Sequence, residues 1–184
     1  MPRRDAQPTS INPGDPEYPR ALLGGAQPAT LYAIGNVDIL RQPLTAFFCS
    51  NKCPGSAILR ALDLAAELRD GNRAVISGFH TPVEKECLAI LLRGKSPIVI
   101  CPARSLTKLR LPATWKAALA SGRLLLLSPF SDHHHRPTTE NADRRNELVA
   151  ALAAQVIAPH VNPGGRLDKL TSALKAAGRF QYSP

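Results

Sequence analysis

Long apolar runs are missing from this 184-residue sequence. Nothing approaches the ~20 residues needed to cross a bilayer. Leu124-Leu125-Leu126-Leu127 is far too short, and the first ten residues hold no apolar signal core. No membrane partner is expected, and the chain reads as cytoplasmic. Cysteine is also sparse: four in the chain do not make a secreted disulfide framework. None forms a tight Cys-x-x-Cys pair, and Cys49-x3-Cys53 matches zinc spacing only loosely. No metal site is expected, and the cysteines read as free, reduced core residues. Trp115 and the three tyrosines are too scattered for a base-stacking row. Paired catalytic carboxylates and a Ser–His–acid order are absent. Glu84 and Glu86 sit at an expected helix start, where acids are favoured without chemistry. No catalytic residue and no cofactor are expected, so the chain does not read as an enzyme.

Acidic residues are few as well. Fourteen Asp and Glu face twenty-three Lys and Arg, leaving a net charge of +9. That excess favours a polyanionic partner, meaning nucleic acid or nucleotides. Hydrophobic content of 44% and charged content of 20% fit an ordinary globule with one core.

Residues 1–19 carry five prolines and no periodicity. Residues 1–14 therefore read as a disordered tail, and residues 15–28 as an extended lead-in. Residues 15–184 are expected to form one domain. A short strand over 30–34 closes at Gly35-Asn36. From residue 44 strands and helices alternate. Apolar runs at 44–49, 74–77, 97–101, 124–127 and 155–158 read as buried strands. Between them, Ile58, Ala61, Leu62, Ala65 and Leu68 form one helical stripe, and Val83, Cys87, Ile90 and Leu91 another. Thr81 is a candidate N-cap, with Pro82 in the first helical position. Helices are also expected over 112–120, 140–153 and 167–177, the last stopped by Gly178. The fold class is α/β: a Rossmann-like parallel sheet with helices on both faces, behind a short N-terminal extension. In such sheets ligands sit beyond the carboxyl ends of the strands, where strand order reverses.

Three loops at that edge have phosphate-binding chemistry. Ser50, Asn51 and Lys52 supply a hydroxyl, an amide and a cation between a strand and a helix. Ser77 and Gly78 follow the second core strand. Gly164, Gly165 and Arg166 follow the last one, and a glycine pair at a helix start lets a ligand approach backbone N–H groups. Arg144, Arg145 and Asn146 fall in the opening turns of their helix. Cations there oppose the helix dipole, and a broken local rule points to function. Arg145 and Lys52 are thus expected to hold phosphate rather than the fold. The His133-His134-His135 run reads as an exposed loop.

With these residues in place, the chain resembles the DNA-processing protein A (DprA, also Smf) family. The family's lead-in falls on Tyr18-Pro19, Leu31-Tyr32 and Gly35. Its glycine-serine-arginine loop falls on Cys49-Ser50-Asn51, and its Ser-Gly loop on Ser77-Gly78. Its Arg-Asn-Arg motif falls on Arg145-Asn146-Glu147, and its Ser-Gly-Ser turn on Gly164-Gly165-Arg166. The likeness runs in order over about residues 16–182. The departures are specific. The first loop lacks the glycine and the arginine, Glu147 replaces the second motif arginine, and the histidine expected after the acid at Glu84 is missing. The resemblance implies a Rossmann-like core without further domains. It also implies single-stranded DNA held in a basic pocket at the sheet edge, a homodimer, and a recombinase partner. RNA stays open beside DNA. The rival readings are a small-nucleotide sensor or nucleoside-phosphate hydrolase of the same superfamily, and a basic assembly subunit that meets an acidic protein. Phosphoribohydrolases carry Pro-Gly-Gly-x-Gly-Thr-x-x-Glu. Here Pro163-Gly164-Gly165 is kept, but Leu167, Asp168 and Thr171 stand where glycine, threonine and the catalytic glutamate belong.

Overall fold

The computed structural model describes residues 7–23 and 28–182. One sheet of eight strands runs through the molecule, in the order β1-β2-β6-β5-β4-β3-β7-β8. The strands are β1 (Thr9–Ile11), β2 (Leu31–Gly35), β3 (Leu44–Phe47), β4 (Ala74–Ser77), β5 (Ile98–Ile100), β6 (Leu124–Ser128), β7 (Gln155–Ala158) and β8 (Phe180–Tyr182). The helices are α1 (Gly55–Asp70), α2 (Pro82–Leu92), α3 (Ala113–Ala120), α4 (Thr139–Leu152) and α5 (Arg166–Ala176). From β6 through β8 every neighbouring pair is parallel.

The central strands are buried on both faces, so they read as apolar runs rather than as alternation. Their side chains still divide by parity. Leu44, Ala46 and Phe48 join one core, with Leu148, Val149 and Leu174 from α4 and α5. Phe47 and Cys49 join the other, with Ala61, Ala65, Cys87 and Leu91 from α1 and α2. Helices thus cover both faces.

Strand order reverses at β3. The chain winds from β3 outward through β4, β5 and β6, and then α4 returns it to β7 on the other side of β3. Connections leaving neighbouring strands in opposite directions open a crevice at their carboxyl ends.

Three features depart from the sequence reading. The sheet is not wholly parallel: β2 pairs antiparallel with β6, and β1 antiparallel with β2. The expected tail also contains β1. The three residues of β1, set between Pro8 and Pro13, are too few to show a period, yet Ile11 is 3% exposed in the core. An edge strand tolerates flanking prolines. Residues 1–6 of that tail and residues 24–27 of the lead-in lie outside the described residues. β8 is a third addition, laid beside β7 after the helix that Gly178 ends at φ +67. Among the described residues no helix is long and apolar enough to cross a membrane.

Candidate nucleic-acid interface

A cavity of about 950 Å3 lies at the reversal point. The loop after β3 brings Phe48, Cys49, Ser50 and Asn51 to it, and the loop after β4 brings Gly78, Phe79 and His80. α4 adds Asp143, Arg145 and Asn146, and the turn into α5 adds Asn162, Gly165 and Arg166. Its ionic lining is Lys85, Arg104, Arg145 and Arg166 against Glu84 and Asp143, four cations to two carboxylates.

Arg145 is the centre of the site, and it is not a surface cation. α4 starts at Thr139, behind the Thr138 side chain that accepts from Asn141 N–H. Arg145 therefore falls in the second turn, where the dipole no longer opposes it strongly. Its side chain is 1% exposed. Nη1 donates to the Cys101 carbonyl at 3.0 Å, Nε donates to Asn146 Oδ1 at 2.8 Å, and Nη2 lies 3.1 Å from His80 Nδ1. None of these three partners is a carboxylate, and among the described residues no carboxylate stands within salt-bridge distance of Arg145. Burial pulls the guanidinium below its ordinary value, while Glu84, Cys101 and Asp143 pull the other way. Arginine stays charged in either case.

Gly78 makes this placement possible. A Cβ built on it would sit 1.4 Å from Arg145 Nη1. The Ser-Gly pair thus serves close packing of a cation on backbone. Ser77 itself is fully buried and does not line the cavity; its Oγ accepts from Phe79 N–H at 3.3 Å and shapes the turn.

Glu84, passed over by sequence reasoning as an ordinary helix-start acid, ties two loops together. It closes a capping box with Thr81. Its carboxylate also accepts from Cys49 N–H at 3.0 Å and His80 N–H at 2.9 Å. Burial pushes the Glu84 carboxyl up, but His80 and these backbone donors outweigh it and hold the group below its ordinary range. The spacing Thr81-x-x-Glu84 was the available signal for the cap. Nothing in the sequence pointed to the reach across to Cys49. Asn162 was missed too. Its N–H donates to Ser50 Oγ at 2.9 Å, while Ser50 N–H donates to the His160 carbonyl at 3.0 Å, so the β3 and β7 loops are clasped together.

The expected residues divide as follows. Ser50, Asn51, Gly78, Arg145, Asn146, Gly165 and Arg166 come together around the cavity. Ser77 stands beneath it. Lys52 is exposed and outside the lining. Arg144 is exposed and turned away, its guanidinium 5.4 Å above the Phe130 ring. Gly164 also lies outside the lining, and the glycine turn is less open than expected. Gly164 N–H donates to Asp168 Oδ2 at 2.9 Å, and Gly165 N–H to the Asn162 carbonyl at 3.1 Å. Arg166 is paired with Asp143 at 3.1 Å. At Thr171, where a phosphoribohydrolase places its glutamate, the buried hydroxyl donates to the Asp168 carbonyl instead.

The sequence profile of the DNA recombination-mediator protein A family matches residues 9–176. The chain belongs to this family. Solved structures agree on the fold. DNA processing protein A from Streptococcus pneumoniae superposes with a TM-score of 0.77 at 20% identity, over 96% of this chain and 62% of that one. The Helicobacter pylori protein, whose structure concerns its single-stranded DNA binding mode, gives 0.77 at 19% identity over 97% and 81%. A molybdenum cofactor binding protein from Rippkaea orientalis shares the fold more distantly, with a TM-score of 0.51 at 13% identity over 78% of each chain. No curated protein matches the sequence. The chain thus spans under two thirds of the length of the S. pneumoniae family member.

Proposed function

We propose that the cavity at the strand reversal holds the backbone of single-stranded DNA, with Arg145 as its buried phosphate anchor. The observation that carries this reading is a guanidinium 1% exposed whose hydrogen-bond partners include no carboxylate. Burying such a charge costs several kcal/mol unless something compensates it. A phosphate oxygen supplies the missing negative charge. Lys85 and Arg104 extend the same field along the cavity, and Ser50 and Asn51 offer polar groups at its wall, where Gly165 also lies with its amide already bonded to Asn162. Lys52 and Arg144 lie outside the lining and add to the surrounding positive field without contacting the phosphates held in the cavity. Holding a strand this way needs electrostatics and positioning but no bond-breaking step. The H. pylori relative's single-stranded DNA binding supports the choice of ligand. The same reading places the protein in cytoplasmic DNA metabolism, as a homodimer that hands the strand to a recombinase.

The test is an anisotropy titration with a ~20-nucleotide oligothymidylate, alongside urea unfolding. Arg145→Met removes the charge and keeps the apolar stem. Its stability should stay within about 1–2 kcal/mol of the parent, because an apolar replacement avoids the desolvation cost. Its affinity should fall at least about tenfold. Unchanged affinity would remove Arg145 from the site. Competition by unlabelled strands should improve steadily with length. Complete displacement by a mononucleotide near micromolar concentration would make this a small-nucleotide site instead.

A further inference from the structure

Cys49 follows β3 directly, and Cys53 closes the loop that begins at Ser50. Their Sγ atoms stand 3.2 Å apart. Cys49 is buried on the cavity wall, whereas Cys53 is half-buried and donates its Sγ–H to the Ser50 carbonyl at 2.8 Å. The other two thiols are out of play. Cys87 donates to the Ala61 carbonyl on the helical side, and among the described residues neither Cys87 nor the fully buried Cys101 has a thiol within bonding reach. The family resemblance puts a glycine where Cys49 stands.

We propose that Cys49 and Cys53 form a reversible disulfide that reshapes the Ser50–Asn51–Lys52 loop and weakens strand binding. The strand-binding half rests on the function proposed above; the cross-link does not. Closing the sulfurs from 3.2 Å to the ~2.05 Å of a disulfide needs little movement. A peroxide supplies the oxidant. The more accessible Cys53 thiol becomes a sulfenic acid, releasing one water. Cys49 sulfur then attacks Cys53 sulfur, and the hydroxyl leaves with the Cys49 proton as a second water. Burial and the neighbouring Cys53 push the Cys49 thiol up, so this resolving step runs faster as pH rises. Bonding pulls Cys53 off the Ser50 carbonyl and pinches the loop between them. Ser50 is the residue clasped to His160 and Asn162 across the reversal point, so the strain enters the cavity wall directly.

The reduced full-length chain is treated with hydrogen peroxide and followed by three readouts. Intact mass should show loss of two hydrogens. Trypsin, which cuts after Lys52, should leave the two cysteine peptides linked until dithiothreitol parts them. Amide exchange at Asn162 should speed up as its bond to Ser50 loosens, and oligothymidylate affinity should fall by about tenfold. Cys53→Ser should form no link and lose the peroxide response. Absence of a Cys49–Cys53 link under excess peroxide overturns the proposal. So does a link that leaves both Asn162 exchange and affinity unchanged. If the reduced chain binds no strand while the link and the exchange change both appear, the functional reading fails and the redox loop stands.

Discussion

At Gly78 the chain gives up a side chain so that a guanidinium can lie against its backbone. The two residues are far apart in sequence, and neither explains itself alone. Gly78 has no left-handed backbone to excuse it; what excludes a larger residue is Arg145 Nη1, 1.4 Å from a would-be Cβ and backed by Cζ at 2.1 Å. Gly78→Ala is therefore expected to push the arginine out of its bonds to Cys101 and His80. Stability should drop by about 3 kcal/mol, the cost of breaking a buried ionic group's contacts. Strand affinity should fall with it. Urea unfolding and the anisotropy titration together check this. An alanine variant with wild-type values in both would mean that Arg145 has another comfortable position. The sequence marked Arg145 through its place in the opening turns of a helix, and the structure puts it in the second turn of α4. The helix begins at Thr139, so burial and not the dipole is what sets this residue apart.

Among the elements, the start of α2 carries the most structure per residue. Thr81, Pro82 and Glu84 make a capped helix whose signature is readable from spacing. The same carboxylate then crosses to Cys49 N–H at the end of β3. Glu84→Gln keeps the shape but loses the charge-assisted bonds, which should cost about 2 kcal/mol. The pH dependence follows from the direction of the shift. Glu84 is held below its ordinary value of 4.5, so its stabilisation is fully present above that value. It is lost as pH falls through the lower folded value. The gap between wild type and Glu84→Gln in chemical unfolding should be constant near neutrality and shrink in acid below 4.5. A gap that widened in acid would contradict the assignment. The turn into α5 shows the opposite outcome. Its glycine pair was legible, and Gly164 does need its φ of +71. Asp168 nevertheless occupies one of the amides that a ligand would use.

For the whole molecule, charge and topology act together. The excess of cations is spread along the chain, yet the reversal at β3 brings Lys85, Arg104, Arg145 and Arg166 to one cavity. Arg166 is paired with Asp143, leaving three for a ligand's phosphates. The logarithm of affinity should then fall linearly with the logarithm of salt, with a slope of about −2 for single strands. A slope near zero would exclude phosphate capture as the source of binding. A slope several times steeper would enlist exposed cations such as Lys52 and Arg144 as full contacts.

Local periodicity and turn chemistry were enough to determine the α/β class, the strands over 74–77 and 155–158, the Thr81 cap and the loops at the ligand edge. Each depends on neighbours a few residues away, which a sequence displays directly. Tertiary structure alone decided the antiparallel arm of β1 and β2, because a three-residue edge strand has no period and draws its stability from its partner. It also decided which basic residues share the cavity. Arg144 and Arg145 are adjacent in sequence, but a helix sends successive side chains about 100° apart, so one packs on Phe130 while the other enters the core. The Gly78–Arg145, Glu84–Cys49 and Ser50–Asn162 contacts join segments that meet only when strand order reverses, and a linear pattern carries no record of that meeting.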